Sequence, residues 1–458
     1  MITKPLNELS ITEAAELIKN KKISPVELTQ SYLKRIEEVE PAVQAFVTIT
    51  AEQALQAAKE SEHKLMSGDY LGPLHGIPYG AKDIIHTAGI RTSAGSSTYP
   101  DFIPETNATV IDRLQTAGAI LLGKTTTTEY AFQGGEPPTR NPWNVEHTPG
   151  GSSSGSAAAV AAGMASFTLG TQTFGSLLRP ASYNGLTCMK PTYGRVSRNG
   201  VITASWSLDH VGAFTRSAQD NAIVLEALAG QDELDPFSLP HGKPDLTSTL
   251  MHPISGMVIG LPSSFFHADE PAIMVAIESA IAVLEKMGMQ TKKVDLPPYM
   301  EETLAAHRTV MRAEAAAFHQ ERFAEAADRY GPTMREQLEL GYQTSAVDYL
   351  QAQRIRTLFR SEMMRLFDEV DVLLTPSTPY VAPYGYKTGS PIFNGPFTNT
   401  GLPSITVPIG FDSTSGKHLP IGMQLSGPHM REDRLLSIAH HYQQTTEWHL
   451  ATPNLNSH

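Results

Sequence analysis

The sequence is poor in cysteine and in charge. Of its 458 residues only Cys188 is a cysteine, so the chain cannot form an internal disulfide, which fits a reducing compartment. Charged residues make up 18% of the chain, and the net charge is −12 with no basic run. Surfaces that bind nucleic acid or anionic membranes are usually basic. We therefore expect a cytoplasmic protein without a nucleic-acid or membrane partner.

Long hydrophobic runs are missing as well. The most apolar segment, residues 157–165, is much shorter than the roughly 20 apolar residues that a membrane-spanning helix needs. Residues 1–7 lack the apolar centre of a signal peptide. Hydrophobic residues nevertheless make up 41% of the chain, which is enough for a sizeable buried core. These features favour a soluble globular protein.

The order of helical and apolar segments indicates the fold class. Residues 10–13 and 24–27 both match the capping box that starts a helix, and the second has proline at the first helical position. From about residue 70, short apolar runs alternate with helical segments, which favours an α/β fold around one large, mostly buried sheet. Residues 300–370 are rich in Ala, Glu, Arg and Leu and predict consecutive helices.

Individual elements follow from the same patterns. Helices are expected at residues 109–117 and 157–165, with Ser156 capping the second. Strands are expected at residues 119–122, 167–171, 257–261, 371–374, 405–409 and 422–425.

Three polar residues stand in glycine-containing segments, in an order and at spacings that suit one kind of hydrolase. Lys82 follows a Gly-Ile-Pro turn, Ser152 lies in a turn rich in Gly and Ser that opens a helix, and Ser176 follows a predicted strand. A serine needs a base to become a nucleophile, and a lysine can be that base only if burial or its neighbours lower its pKa. The three residues therefore suggest a relay in which the lysine activates one serine through the other.

Each segment also has a simpler interpretation. A lone Lys82 would more often be a surface residue paired with Asp83. The turn at 150–155 could be a flexible loop or an anion-binding helix N-terminus. It also matches the G-x-S-x-G pattern of a nucleophile elbow, with Ser153 as the nucleophile. An elbow needs a buried strand immediately before it, whereas residues 144–149 are polar and end in proline.

The motifs occur together and in order across residues 9–428, and in this they resemble the amidase signature family of hydrolases. The matching segments are residues 76–83, 141–143, 149–153, 175–176, 189–197, 207–209, 215–216, 401–403 and 407–408.

The resemblance implies a fold as well as a chemistry. It predicts a single domain over residues 1–458, with a central mixed, mostly buried sheet covered by helices on both faces. Its parts would be N-terminal helices at 1–65, a catalytic core at 70–220 and a helical insertion at 300–370 near the substrate pocket. We expect the pocket walls to come from that insertion together with Phe174, Trp206 and Tyr130.

The resemblance also assigns roles to the polar residues. Ser176 would be the nucleophile, Ser152, on a cis peptide bond, would relay the proton, and Lys82 would be the ultimate base and acid. Ser153 would orient the relay by hydrogen bonding. No metal or organic cofactor is implied. The oxyanion hole would consist of the backbone N–H groups of Thr173, Phe174, Gly175 and Ser176.

Three positions depart from the family's usual stretch, G-[ST]-D-T-G-G-S-[IV]-R-x-P. Gln172 replaces the aspartate, Phe174 replaces a glycine, and Leu178 replaces the arginine, which follows one position later as Arg179. Loss of both charges can be nearly neutral for stability if they form a pair. Phe174 would narrow or reshape the pocket. These departures bear on which substrate class is bound more than on the type of reaction that is catalysed.

Three functions are compatible with these observations. The preferred one is an amidohydrolase that cleaves a small, neutral or apolar amide, and also esters or carbamates, with that small molecule as its only partner apart from a second copy in a homodimer. The alternative is the glutamine-hydrolysing A subunit of an aminoacyl-tRNA amidotransferase. In the family that subunit grips glutamine with an arginine and an aspartate, whereas this chain has Glu336-Gln337 and residues 391–393 there. A non-catalytic scaffold would leave Ser176 unlabelled by a fluorophosphonate.

Overall fold

The computed structural model describes residues 4–132, 136–412 and 418–455. Within these ranges eleven strands form one mixed sheet in the order β1-β3-β2-β4-β6-β5-β10-β11-β9-β7-β8. The expected single α/β domain is confirmed. The strands are β1 Phe46–Ile49, β2 Pro78–Lys82, β3 Ile120–Thr125, β4 Phe167–Gln172, β5 Thr187–Lys190, β6 His210–Thr215, β7 Val258–Pro262, β8 Gln290–Val294, β9 Val372–Pro376, β10 Ser404–Phe411 and β11 Pro420–Ser426.

Helices flank the sheet along its length, as expected. The described α-helices are α1 Ile11–Lys19, α2 Pro25–Val43, α3 Ala51–Met66, α4 Thr109–Thr116, α5 Ser154–Ala161, α6 Leu178–Asn184, α7 Ala218–Leu228, α8 Pro271–Lys286, α9 Met300–Ala326, α10 Pro332–Tyr342, α11 Ala346–Leu366, α12 Gly395–Asn399 and α13 Glu432–Thr445. None of these described helices is both long enough and apolar enough to cross a bilayer.

The middle of the sheet is completely buried. Every residue of β2, β4, β5 and β6 is buried, which is typical of strands covered on both faces. Strand β2 pairs in parallel with both β3 and β4. The carboxyl ends of β2 and β4, at Lys82 and Gln172, therefore reach the same edge of the sheet.

The N-terminal region contains the two predicted capping boxes. The hydroxyls of Ser10 and Ser24 each accept a hydrogen bond from the backbone N–H of the Glu three residues on, and the side chain of that Glu accepts one from the backbone N–H of the serine. Strand β1, which pairs antiparallel with β3, was not predicted. Its four residues are too few for a clear alternation pattern.

Helix α5 begins earlier than predicted. It starts at Ser154, after Ser153, so the assignment of Ser156 as its cap is wrong. The Ser156 hydroxyl instead donates to the carbonyl of Leu169 in β4, at 2.9 Å. All eight residues of α5 are buried, because small side chains let the helix lie close to the sheet.

Residues 300–370 form the three α-helices α9, α10 and α11, with a short 3₁₀ helix at Ala327–Arg329 between the first two. The long helix α9 packs against both α10 and α11. Gly341 allows α10 this close approach, since a side chain there would overlap the carbonyl oxygen of Arg312 in α9.

Candidate active site

Lys82 ends strand β2 and is completely buried. Its Nζ lies 2.8 Å from Ser152 Oγ, 3.0 Å from Ser153 Oγ and 2.8 Å from Thr171 Oγ1. The structure thus brings together the predicted base, the predicted relay and the predicted orienting serine. All three contacts are uncharged oxygens.

The simpler interpretation of Lys82, a surface lysine paired with Asp83, is wrong. Asp83 accepts hydrogen bonds from the backbone N–H and the hydroxyl of Ser93, and its other oxygen lies 3.6 Å from Nζ of Lys124. Asp83 lies in the turn that follows β2, and its carboxylate contacts Ser93 and Lys124 rather than Lys82.

The surroundings of Lys82 favour its neutral form. Burial lowers its pKa well below the ordinary value of 10.5, and the negative charge of Asp209 opposes that shift only in part. A neutral amine has a lone pair that can take a proton from a hydroxyl. The site therefore holds a base within reach of Ser152.

The turn before α5 supplies both serines that contact Lys82. The Gly151–Ser152 peptide bond is cis. Ser153 is held by β4, because its hydroxyl donates to the carbonyl of Thr171 at 3.1 Å and accepts from the N–H of the same residue at 3.3 Å. Ser153 is fully buried, which disfavours its role as an elbow nucleophile.

Thr171 was not among the predicted site residues. It lies one position before the end of β4, and β4 runs parallel to β2. A polar side chain near the end of a parallel strand adjacent to Lys82 was the signal that could have found it.

Ser152 and Ser176 line the same cavity, which has a volume of about 300 Å³. The predicted nucleophile and the predicted relay thus meet one space that a substrate could enter. Its other lining residues are Thr128, Ala131, Phe132, Thr173, Phe174, Arg179, Met311, Thr333, Gln337, Thr388, Gly389 and Pro391. We call this space the inner cavity.

Of the residues expected in the pocket wall, Phe174 and three residues of the helical region, Met311, Thr333 and Gln337, border the inner cavity. The ring of Tyr130 is instead buried against those of His319 and Tyr330, at 4.3 and 5.8 Å between centroids. Trp206 lines a separate cavity with Asp209 and Asp235. That the inner cavity binds the substrate stays a prediction.

The loop of residues 173–176 is fixed from outside by side chains. Thr173 donates through its hydroxyl to Asp209 at 2.6 Å, and Thr398 donates to the carbonyl oxygen of Phe174 at 2.9 Å. Asp209 also accepts from the N–H groups of Ala204 and Ser205, both at 2.9 Å. These bonds hold the backbone beside Ser176 in one conformation, which a preorganised oxyanion hole requires.

Gln172 compensates for the aspartate that the family pattern would place there. Its side-chain oxygen accepts from the N–H groups of Leu177 and Leu178, at 2.8 and 3.0 Å, where α6 begins. Its side-chain nitrogen donates to the hydroxyl of Thr398 at 2.8 Å. A neutral amide therefore caps the helix that follows Ser176 and needs no arginine partner.

Replacing Gln172 with leucine is expected to lower the free energy of unfolding by about 2–4 kcal/mol, because two buried N–H groups lose their acceptor. Chemical denaturation would measure the loss. The matched control is Gln351→Leu on the exposed face of α11, which should change stability by less than about 0.5 kcal/mol. Equal stability of the two variants would contradict the capping role.

Comparison with known proteins shows which family the chain belongs to. The family model described as Amidase matches residues 27–436. This chain belongs to the amidase signature family. Among solved structures it is similar to the peptide amidase from Stenotrophomonas maltophilia, with a TM-score of 0.86 and 30% identity over 99% of this chain and all of that one. It is also similar to 6-aminohexanoate cyclic dimer hydrolase, with a TM-score of 0.89 and 25% identity over 98% of this chain and 99% of that one.

Curated relatives of this amidase include the A subunit of the glutamyl-tRNA(Gln) amidotransferase from Carboxydothermus hydrogenoformans, 40% identical over 98% of this chain and 99% of that protein. The protein of the same name from Geotalea daltonii is 41% identical over 97% and 98% of the two chains. The chain is thus an amidase signature enzyme that acts on amide C–N bonds.

These relatives overturn one expectation. A protein with only a small-molecule partner and no link to nucleic acid was predicted from the acidic composition, and that prediction is wrong, since the relatives are named as one component of an enzyme for a tRNA substrate. The net charge of one chain describes only its own surface. It carries no information about what the other components of an assembly bind.

Proposed function

We propose that this amidase hydrolyses small amides through an acyl-enzyme on Ser176, with Ser152 carrying protons between Ser176 and Lys82. One observation carries the proposal. A completely buried lysine amine lies 2.8 Å from the hydroxyl of Ser152, and Ser152 shares the inner cavity with Ser176.

The acylation step follows from these positions. Ser176 Oγ attacks the amide carbonyl carbon while its proton passes to Ser152, whose own proton passes to neutral Lys82. Negative charge develops on the carbonyl oxygen, and the backbone N–H groups of residues 173–176 would stabilise it. The C–N bond then breaks, and the leaving nitrogen takes the proton from Lys82 through Ser152.

Deacylation reverses the proton path. A water molecule attacks the acyl carbon, gives its proton through Ser152 to Lys82, and releases the acid as Ser176 regains a proton. The same sequence would cleave esters and carbamates, because they also pass through a tetrahedral intermediate with a developing oxyanion. The inner cavity, at about 300 Å³ and bordered by Phe132, Phe174 and Met311, suits a small acyl group.

A second candidate is the glutamine-hydrolysing A subunit of an aminoacyl-tRNA amidotransferase. The curated relatives favour it over a stand-alone amidase, since proteins of that name match almost from end to end at about 40% identity. The cavity lining favours the stand-alone enzyme. Gln337 and Pro391 stand where the grip on glutamine is expected, and none of the described lining residues is Asp or Glu.

Purified protein should be assayed on aliphatic amides, anilides, esters, carbamates and glutamine. Hydrolysis of any of the amides, with a loss of about 10⁴-fold in Ser176→Ala, would support the proposal. The control Ser390→Ala removes another hydroxyl next to lining residues and should stay within about threefold of wild type. Preference for glutamine, together with co-purification of a tRNA-binding partner, would select the second candidate. Full activity of Ser176→Ala would refute both.

A further inference from the structure

Phe174 stands in the loop that carries the predicted oxyanion hole, at a position where the family pattern has glycine. Its side chain borders the inner cavity together with Ser152 and Ser176. A glycine at this position would leave the volume of the ring open to a substrate. The inner cavity is therefore smaller than it would be with glycine in the same place.

The surrounding residues fix the position of this ring. The ring of His307 lies against it, with 4.4 Å between the centroids, and the guanidinium of Arg308 lies 5.7 Å from its centroid. Burial lowers the pKa of His307 to about 3, so its ring is neutral at physiological pH and packs as an aromatic group. The hydroxyl of Thr398 holds the backbone by donating to the carbonyl oxygen of Phe174. The ring therefore has little room to turn aside when a large group enters.

Gly395, the first residue of α12, leaves the space that the ring occupies. A Cβ atom at this position would overlap Cε2 of Phe174 and would lie 3.0 Å from a methyl group of Leu304. The φ angle of Gly395 is outside the left-handed region, so its backbone conformation does not require glycine. The glycine is needed instead for the ring of Phe174.

The proposed proton path assigns the two ends of the substrate. The leaving nitrogen takes its proton from Ser152, so this nitrogen must face Ser152. The turn that carries Ser152 packs against Thr388, because a Cβ atom at Gly151 would lie 2.5 Å from a methyl group of that residue. Thr388 lines both the inner cavity and a larger neighbouring cavity of about 750 Å³, whereas Phe174 and Met311 line the inner cavity and not the larger one. The amine end of the substrate therefore points toward the larger cavity and the acyl end toward Phe174.

We propose that Phe174 sets the size limit for the acyl group, so that this amidase prefers amides of small aliphatic acids to amides of bulky aromatic acids. An acyl group that is too large must displace packed side chains, which makes its transition state less stable. The inference rests on the proposed acyl-enzyme at Ser176 and specifies the substrates that form it. Phe174 acts on specificity and takes no part in the proton relay.

The test uses the primary amides of acetic, butyric, hexanoic, phenylacetic and 1-naphthaleneacetic acid, which all release ammonia. Wild-type kcat/KM should fall by about 10-fold or more between the small and the large members of this series. In Phe174→Ala the kcat/KM for 1-naphthaleneacetamide, relative to that for acetamide, should rise by about 10- to 100-fold, because the ring no longer fills the space. Phe174→Leu, which keeps more of the packing, should shift the same ratio in the same direction by a smaller factor.

Gly395→Ala tests the same wall from its other side. The added methyl group would displace the ring, and since His307 packs against the ring as well, the ring would move into the inner cavity. The kcat/KM for butyramide relative to acetamide should then fall by about 10-fold. In the double variant with Phe174→Ala this loss should disappear, because the methyl group no longer meets a ring. An effect of alanine on α12 alone would persist in the double variant.

Two controls separate the acyl end from the amine end and from general loosening. A series of N-alkyl acetamides varies only the amine, so its relative rates in Phe174→Ala should stay within about threefold of wild type. Phe323→Ala removes a ring of α9 that packs against Tyr330 and Tyr342 and is absent from the lining of the inner cavity. It should leave the ratio of 1-naphthaleneacetamide to acetamide within about threefold of wild type.

Three results would overturn the inference. They are a wild-type rate that does not decline along the acyl series, an unchanged ratio in Phe174→Ala, and a shift in the N-alkyl series in place of the acyl series. Each of them leaves amide hydrolysis itself intact. Absence of wild-type turnover on every amide tested would instead contradict the proposed function.

Discussion

Replacing Lys82 with methionine is expected to lower kcat/KM by about 10⁴-fold or more, the range seen when a member of a catalytic triad is removed. Methionine has a similar length and suits burial, so the fold should persist while the base disappears. Steady-state kinetics on the best substrate, together with thermal unfolding of the same sample, would measure both effects.

A second buried lysine provides the control. Lys124 is also completely buried, but its amine lies 3.6 Å from Asp83 and contacts the carbonyl of Ile85 rather than the two serines. Lys124→Met should therefore destabilise the protein by about 3–5 kcal/mol, because Asp83 loses its counterion. The folded fraction should keep most of its activity. Equal loss of activity in the two variants would contradict a specific role for Lys82.

Lys82 should also set the pH dependence of kcat/KM. Because burial lowers the pKa of Lys82, the neutral amine is the major form above that shifted value. We expect kcat/KM to be constant at alkaline pH and to fall as the pH drops through this pKa, since a protonated amine cannot accept a proton. A rate that rises toward acid would exclude Lys82 as the base.

The free energy of unfolding should also depend on pH, over the range between the lowered pKa of Lys82 and 10.5. Between the lowered pKa and 10.5, the unfolded chain binds a proton at Lys82 that the folded chain does not, so wild-type stability rises with pH there. Lys82→Met lacks this contribution. Its advantage in melting temperature over wild type should be greatest at the low end of that range and shrink as pH increases.

A second large effect is expected when Gly155 is replaced, and it concerns the stability of the folded protein. Replacing Gly155 with alanine is expected to lower the free energy of unfolding by about 3 kcal/mol, because the new methyl group would overlap the carbonyl oxygen of Ala45 and crowd the amide of Thr126. Both obstacles are backbone atoms of the protein core, which cannot rotate away. Helix α5 would have to move, and Ser152 and Ser153 would move with it.

Denaturant titration and kinetics of Gly155→Ala should therefore show lost stability and lost activity together. Gly242→Ala is the control, since a methyl group there meets nothing within 4 Å. It should change stability by less than about 0.5 kcal/mol. A Gly155→Ala protein as stable as the control would show that α5 does not pack as closely as described.

Much of the fold was predictable because its signals are local. The capping boxes at Ser10 and Ser24 and the apolar run of β4 depend on neighbouring residues alone. The start of α5 was misplaced because Ser156 looks like a cap by type, whereas its hydroxyl bonds to β4 across the fold. The sheet order was beyond sequence reasoning from the residues alone, since it depends on pairings between distant strands.

The site residues likewise divide into those that sequence motifs predict and those that only the folded structure reveals. Lys82, Ser152 and Ser176 were found from motifs, and the structure places the first two in contact and the last two in one cavity. Thr171 and the partners of Gln172 were missed because they appear only when β4 lies beside β2 and α6. Arg179 was noticed only as a shifted arginine. That it forms no ion pair with an Asp or Glu of the described residues is a property of the folded chain.

Trapping the covalent intermediate tests the relay most directly. An activated ester would be mixed with the enzyme, quenched in acid within the first turnover, digested and mapped by mass spectrometry. We expect an acyl group on Ser176 in wild type, and none on any serine of Lys82→Met at the same pH and time. An acyl group on Ser152 or Ser153 instead, or equal acylation of Ser176 without Lys82, would contradict it.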